Sequence, residues 1–81
     1  MPRLGLVSSY AHNRLVPDPR ASATGQELFD DYLAWCERNG HVALRNRHFR
    51  LSMEQLARDV GITIVQDGGN TVYLEVGIRS S

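Results

Sequence analysis

The chain has 81 residues, 42% of them hydrophobic, a formal net charge of zero and a single cysteine, Cys36. So short a chain forms one domain at most with a small core, yet it is too apolar for a disordered tail. One cysteine excludes an internal disulfide framework and fits a reducing cytosol, hence a cytoplasmic location. No apolar stretch approaches the roughly 20 residues that span a bilayer, and the apolar run near the amino terminus is too short for a signal peptide. Charge balance argues against a surface coated in positive charge but leaves room for a local patch. All nine basic residues are arginine. That bias fits a GC-rich coding sequence, and arginine is also the better fork for phosphates and guanine edges.

In residues 1–16 the pairs Leu6–Tyr10 and Val7–Tyr10 fit helical spacing, which allows a short first helix. Pro17 and Pro19 stop it, and the stretch PDPRASA, 17–23, reads as a loop. Residues 1–23 are thus expected as an amino-terminal segment with a short helix and a loop, and 24–81 as the folded core.

A helix is predicted over 25–39. TGQE at 24–27 has the form of a capping box, Leu28, Phe29, Tyr32, Leu33, Trp35 and Cys36 recur at spacings of three and four, and Gly40 supplies a left-handed stop. A further helix is predicted over 46–60, with Phe49, Met53, Leu56, Ala57 and Val60 as its apolar stripe and Gly61 as its end. Its start is open between a cap at Asn46 and a later one at Ser52 with Gln55; the longer helix keeps Phe49 and Met53 on one face. Strands follow at 62–66 and 71–76. Between them Asp67-Gly68-Gly69-Asn70 is a turn signal, and Val72, Leu74 and Val76 alternate with Tyr73 and Glu75. The buried set is expected to be Leu28, Phe29, Tyr32, Trp35, Cys36, Phe49, Met53, Leu56, Val60, Ile64, Val72 and Leu74.

Nothing in the sequence points to catalysis, a metal or a cofactor. His12, His41 and His48 share no ligand spacing with one another or with Cys36. Cys36, on an apolar helix face, reads as a structural thiol. Asp30 and Asp31 point about 100° apart on a helix and read as solvated charges. Gly68-Gly69 opens no helix, so it is not a phosphate loop. A chain of this size leaves no room for a pocket beside its core, so no small-molecule substrate is expected.

The neutral total hides a segregation. Residues 24–39 hold Glu27, Asp30, Asp31 and Glu37 against Arg38; residues 40–60 hold Arg45, Arg47, Arg50 and Arg58 against Glu54 and Asp59. Arg47, Arg50, Glu54 and Arg58 lie opposite the Phe49 stripe, and arginine clusters near the helix start, where free amides also favour phosphates. The plainer reading is a solvated face with an Arg50–Glu54 pair. The segment LSMEQLARDVGIT looks like the first helix and turn of a repressor-type motif, but a hairpin follows where a recognition helix should stand. The 46–60 helix is then the last before a wing, the recognition position of a winged helix.

The stretch TGQELFDDYLAWCERNG, with Phe49, Met53 and a hairpin after it, resembles the carboxy-terminal winged-helix domain of phage and plasmid primase–helicases. Leu28, Phe29, Tyr32, Trp35, Cys36 and Gly40 carry the likeness, and Val7, Tyr10 and Arg14 stand where that family's preceding helix has apolar residues of its own. The likeness covers about 7–76 and is best over 24–61. It rests on core residues, so it speaks to fold more than to chemistry. The chain lacks the helicase and primase portions, and its 46–60 helix is longer than usual there; a stand-alone relative, a fragment and a regulator on the same fold all fit. The resemblance implies binding of double-stranded DNA in replication of a mobile element, with no catalysis. Arg45, Arg47, His48 and Arg50 would approach from the helix start, Arg58 from farther along, and Gln66 and Asn70 from the wing. Two other readings stay open: a small phage transcription regulator or excisionase, and a winged-helix adaptor that binds a protein partner or a second copy and no DNA.

Overall fold

The computed structural model describes residues 4–79. Along the chain run α1 (Leu4–Arg14), β1 (Leu15–Thr24), α2 (Gly25–Arg38), α3 (Asn46–Val60), β2 (Ile64–Asp67) and β3 (Asn70–Ile78). The fold is α+β: among the described residues, three helices stand against one antiparallel sheet of order β1-β3-β2. None of these helices is long and apolar enough to cross a membrane.

Local chemistry sets most boundaries. At the start of α2 the Glu27 amide donates to Thr24 Oγ1 at 3.1 Å and the Thr24 amide donates to Glu27 Oε1 at 2.9 Å, so the capping box is formed. Helix α3 spans 46–60 as expected, but its N-cap is Arg45, whose side chain makes no capping bond, and not Asn46, which is already helical. The helix ends at Gly61, which at φ 83° supplies the left-handed stop. In the hairpin Asp67 pairs with Asn70, and Gly68 and Gly69 both have positive φ, 57° and 85°, as a type I′ turn requires.

Two expectations need correction. The stretch 17–23 is not a loop but part of β1, which starts directly after α1 and pairs with β3. Prolines hid it, because they remove ladder donors; the strand accommodates them at the sheet edge and through a bulge. Pro17 pairs with Val76 and Ser22 with Leu74, so Asp18, Pro19, Arg20 and Ala21 all stand opposite Glu75. Inside the bulge Asp18 Oδ1 accepts the Arg20 amide at 3.0 Å. Its Ala21 lies over Gly77, where an added Cβ would meet Ala21 Cβ at 3.3 Å.

The second correction follows from that bulge. Strict alternation would bury Val72, Leu74 and Val76 together. Glu75 instead takes φ 59°, which shifts the phase of β3, so that Tyr73 and Val76 are buried while Val72 and Leu74 are half-buried. The remaining core is Val7, Tyr10, Ala23, Leu28, Tyr32, Trp35, Cys36, Phe49, Met53 and Ala57. Phe29, Leu56 and Ile64 pack against it half-buried. Val60, expected inside, is 61% exposed on the last residue of α3.

Tyr10, Tyr32 and Tyr73 are the chain's three tyrosines, and none is more than 1% exposed. Burial, the largest cause in each case, pushes all three hydroxyls above the ordinary tyrosine range. Unfolded tyrosines ionise near pH 10 while the folded ones keep their protons, so the unfolded state binds fewer protons and stability falls as pH rises. Stability is expected to be flat to about pH 8, to begin falling as the unfolded Cys36 thiol ionises, and to fall more steeply above about pH 10 as the unfolded tyrosines ionise. Tyrosine absorbance and far-UV circular dichroism should change together; ionisation at pH 10 with the helices intact would contradict this packing. A second expectation concerns Glu75. Its left-handed φ costs a non-glycine residue about 1 kcal/mol, so Glu75→Gly should raise the urea midpoint of unfolding, and a lowered midpoint would contradict the strain.

Candidate nucleic-acid interface

Helix α3 is oriented by its apolar side. Phe49 stacks on Tyr32 of α2 with ring centroids 4.5 Å apart, and Met53 and Ala57 follow into the core at spacings of four. At 100° per residue the opposite stripe is then Arg47, Leu51, Glu54 and Arg58, within about 60° of one another and about 16 Å from end to end. Arg50 flanks the stripe on one side and His48 on the other. Arg45, Arg47, His48, Arg50 and Arg58 are all exposed. The charges of Glu54 and Arg50 also act on the Tyr73 hydroxyl, so that side of α3 faces the tip of the Tyr73 side chain.

The loop before α3 is held from α2. The Leu44 amide donates to the Tyr32 hydroxyl at 2.9 Å, and the His41 ring stacks on Trp35 at 5.2 Å. The start of the arginine helix is thus tied to the core by two aromatic side chains of α2. Gln66 and Asn70 stand elsewhere, on the β2–β3 hairpin. Both are exposed, and Gln66 Nε2 donates to Thr71 Oγ1 at 3.3 Å across the hairpin.

The charge pattern differs from expectation at one position. Asp31 is not a solvated helix charge: its carboxylate accepts Tyr10 Oη at 2.9 Å, Arg14 Nε at 3.2 Å and Arg14 Nη2 at 3.2 Å. Asp30 is exposed and accepts only Gln26 Nε2, at 2.9 Å. Among the described residues Arg14–Asp31 is the one ion pair. The Arg50–Glu54 pair of the plainer reading is not formed, and among the described residues no arginine of α3 has a carboxylate within 4.0 Å. Sequence reasoning missed Arg14 with Asp31, and also Leu51, which is 57% exposed on the outer stripe. Helical phase alone could have found Leu51; the 17-residue separation of the ion pair leaves no local signal.

Cys36 is 1% exposed, and burial pushes its thiol above the ordinary range, so it is kept neutral and out of reach of solvent. A recess of about 440 Å³ lies between α1, the end of α3 and β3, with Ala11, Leu15, Leu56, Val60 and Val76 in its lining. The expectation that so small a chain leaves no room for a pocket is corrected by it: the inserted strand β1 and the exposed end of α3 leave a mostly apolar hollow at their junction.

Asp31→Ala should lower stability by about 1–3 kcal/mol, since Tyr10 keeps only the Leu28 carbonyl and Arg14 loses its partner. Urea denaturation checks this; an unchanged midpoint would show that the ion pair is only a surface contact. Comparison with known proteins gives no match: no protein-family profile, no curated protein and no solved structure is significantly similar to the chain.

Proposed function

We propose that the chain is a non-catalytic winged-helix module that binds double-stranded DNA, with α3 as the helix presented to the duplex and the β2–β3 hairpin as the wing. The element order supports this reading: the last helix leads directly into a hairpin, and the hairpin's long strand is closed by a strand inserted between the first two helices. One observation carries it. Arg45, Arg47, Arg50 and Arg58 are exposed on or just before one helix, and the ion pair of the described residues lies elsewhere.

Arg45 and Arg47, next to the free amides of the first turn of α3, suit phosphates. Arg50 and His48 flank the helix within reach of the same groove, Arg58 extends the positive line by three turns, and Gln66 and Asn70 offer neutral hydrogen-bonding groups from the wing. The narrower assignment, to replication of a phage or plasmid, rests on the resemblance of residues 24–61 alone; a small regulator or excisionase on this fold would use the same helix.

A second reading has its own observation. The apolar recess beside the exposed Val60 suits a protein adaptor that binds no DNA.

The Arg47→Ala/Arg50→Ala double variant separates the two. Each phosphate contact adds about 0.9 to the slope of log affinity against log salt, so the variant should bind duplex DNA more weakly, with a slope shallower by about 2. Both side chains are exposed, so the fold should be intact. An unchanged slope would remove α3 from the interface. No salt-sensitive binding by the wild type would leave the adaptor reading.

A further inference from the structure

The outer stripe of α3 is charged at its ends and apolar near its middle. Arg47 lies one turn before Leu51 and Arg58 two turns after it. Leu51 forms a ridge between two shallow hollows, one with Asn46, Arg47, Arg50 and Glu54, the other with Leu44, His48 and Ser52. Phe49, Met53 and Ala57 of the same helix are buried, whereas Leu51 keeps 57% of its surface in water, where it gains nothing.

The arginines set the chemistry of the partner as a polyanion. Glu54 adds to this: a half-buried carboxylate at the Tyr73 margin of that stripe, it would be repelled by phosphates, so this part of the helix faces something other than the phosphate backbone. A duplex meets both conditions. Its major groove, about 12 Å wide, admits a helix, its walls are phosphate, and its floor offers cytosine amino groups to a carboxylate and thymine 5-methyl groups to an apolar side chain.

We propose that Leu51 is a specificity-determining residue that packs on a thymine methyl in the major groove, while Arg47 and Arg58 hold phosphates on either side. The proposal rests on the DNA-binding reading above and adds to it a base identity.

The test uses the full chain and a short duplex enriched by that chain from a random pool. A matched duplex carries deoxyuridine in place of thymine, which removes the methyl and leaves every hydrogen-bonding group. Wild type should bind the deoxyuridine duplex about three- to fourfold more weakly for each methyl contacted, the partition of one group of that size. Leu51→Ala, exposed and so expected to fold, should bind both duplexes alike, at or below the weaker affinity. Equal binding of the two duplexes by wild type overturns the proposal. So does a thymine preference that persists in Leu51→Ala, because another side chain then reads the methyl. Salt-sensitive binding with no enriched sequence also overturns it, since contact is then to phosphates alone. Absence of DNA binding at every salt concentration is a different result: it removes the DNA reading itself, and the proposal with it.

Discussion

Tyr10 is the point through which the three helices are joined. Its ring meets Tyr32 at 5.4 Å, Trp35 at 5.8 Å and Phe49 at 6.1 Å, each edge-on, so one side chain of α1 touches both α2 and α3. Its buried hydroxyl shares its one hydrogen between Asp31 Oδ2, the nearer acceptor, and the Leu28 carbonyl, and Asp31 is held in turn by Arg14 one helical turn along from Tyr10. An aromatic group with a satisfied polar tip does what an aliphatic one could not: it adds edge-to-face contacts on three sides and fixes the approach of α1 to the first half of α2. With Tyr10 and Tyr32 in place, Phe49 has one seat, and that seat determines the rotation of α3. The outward direction of the arginines is thus a consequence of aromatic packing on the opposite side of their helix.

The sheet fixes the other side. Because Glu75 shifts the phase of β3, Tyr73 turns inward. Its ring lies near Gly25 at the start of α2, and its hydroxyl feels the charges of Arg50 and Glu54 on α3. Ala23 and Ile64, its partners on the neighbouring strands, flank it on the same side of the sheet. A regular strand would have turned Tyr73 to solvent and left the hairpin without this anchor. Bulge and tyrosine together seat the hairpin against the helices, and one strained residue is the cost of that placement.

Features governed by neighbours in sequence were legible, and those governed by distant partners were not. The capping box at Thr24, the glycine stop at Gly61 and the Gly68-Gly69 turn each act within a few residues, and both of these helices and both hairpin strands lie within two residues of the expected ends. β1 was hidden because Pro17 and Pro19 forbid the ladder bonds by which strands are judged, while its pairing partner lies some sixty residues away. The buried face of β3 was misjudged because Val-Tyr-Leu-Glu-Val alternates cleanly and nothing in it announces a left-handed Glu75. At the candidate interface the arginines follow from the phase of Phe49, Met53 and Ala57. Leu51 escaped notice because an apolar residue in an amphipathic helix is assigned to the core unless its angle is checked.

The two edges of the sheet bear on how this domain meets other chains. One edge is β2, only four residues long; the other is β1, interrupted by two prolines and a four-residue bulge. Strand addition from another polypeptide needs a run of free amides and carbonyls in register, and neither edge supplies a long one. The sheet is therefore poorly suited to growth by β-augmentation or to edge-to-edge aggregation. Any partner chain would have to meet side chains rather than a backbone edge, and the same prolines that concealed a strand from the sequence keep that edge from pairing.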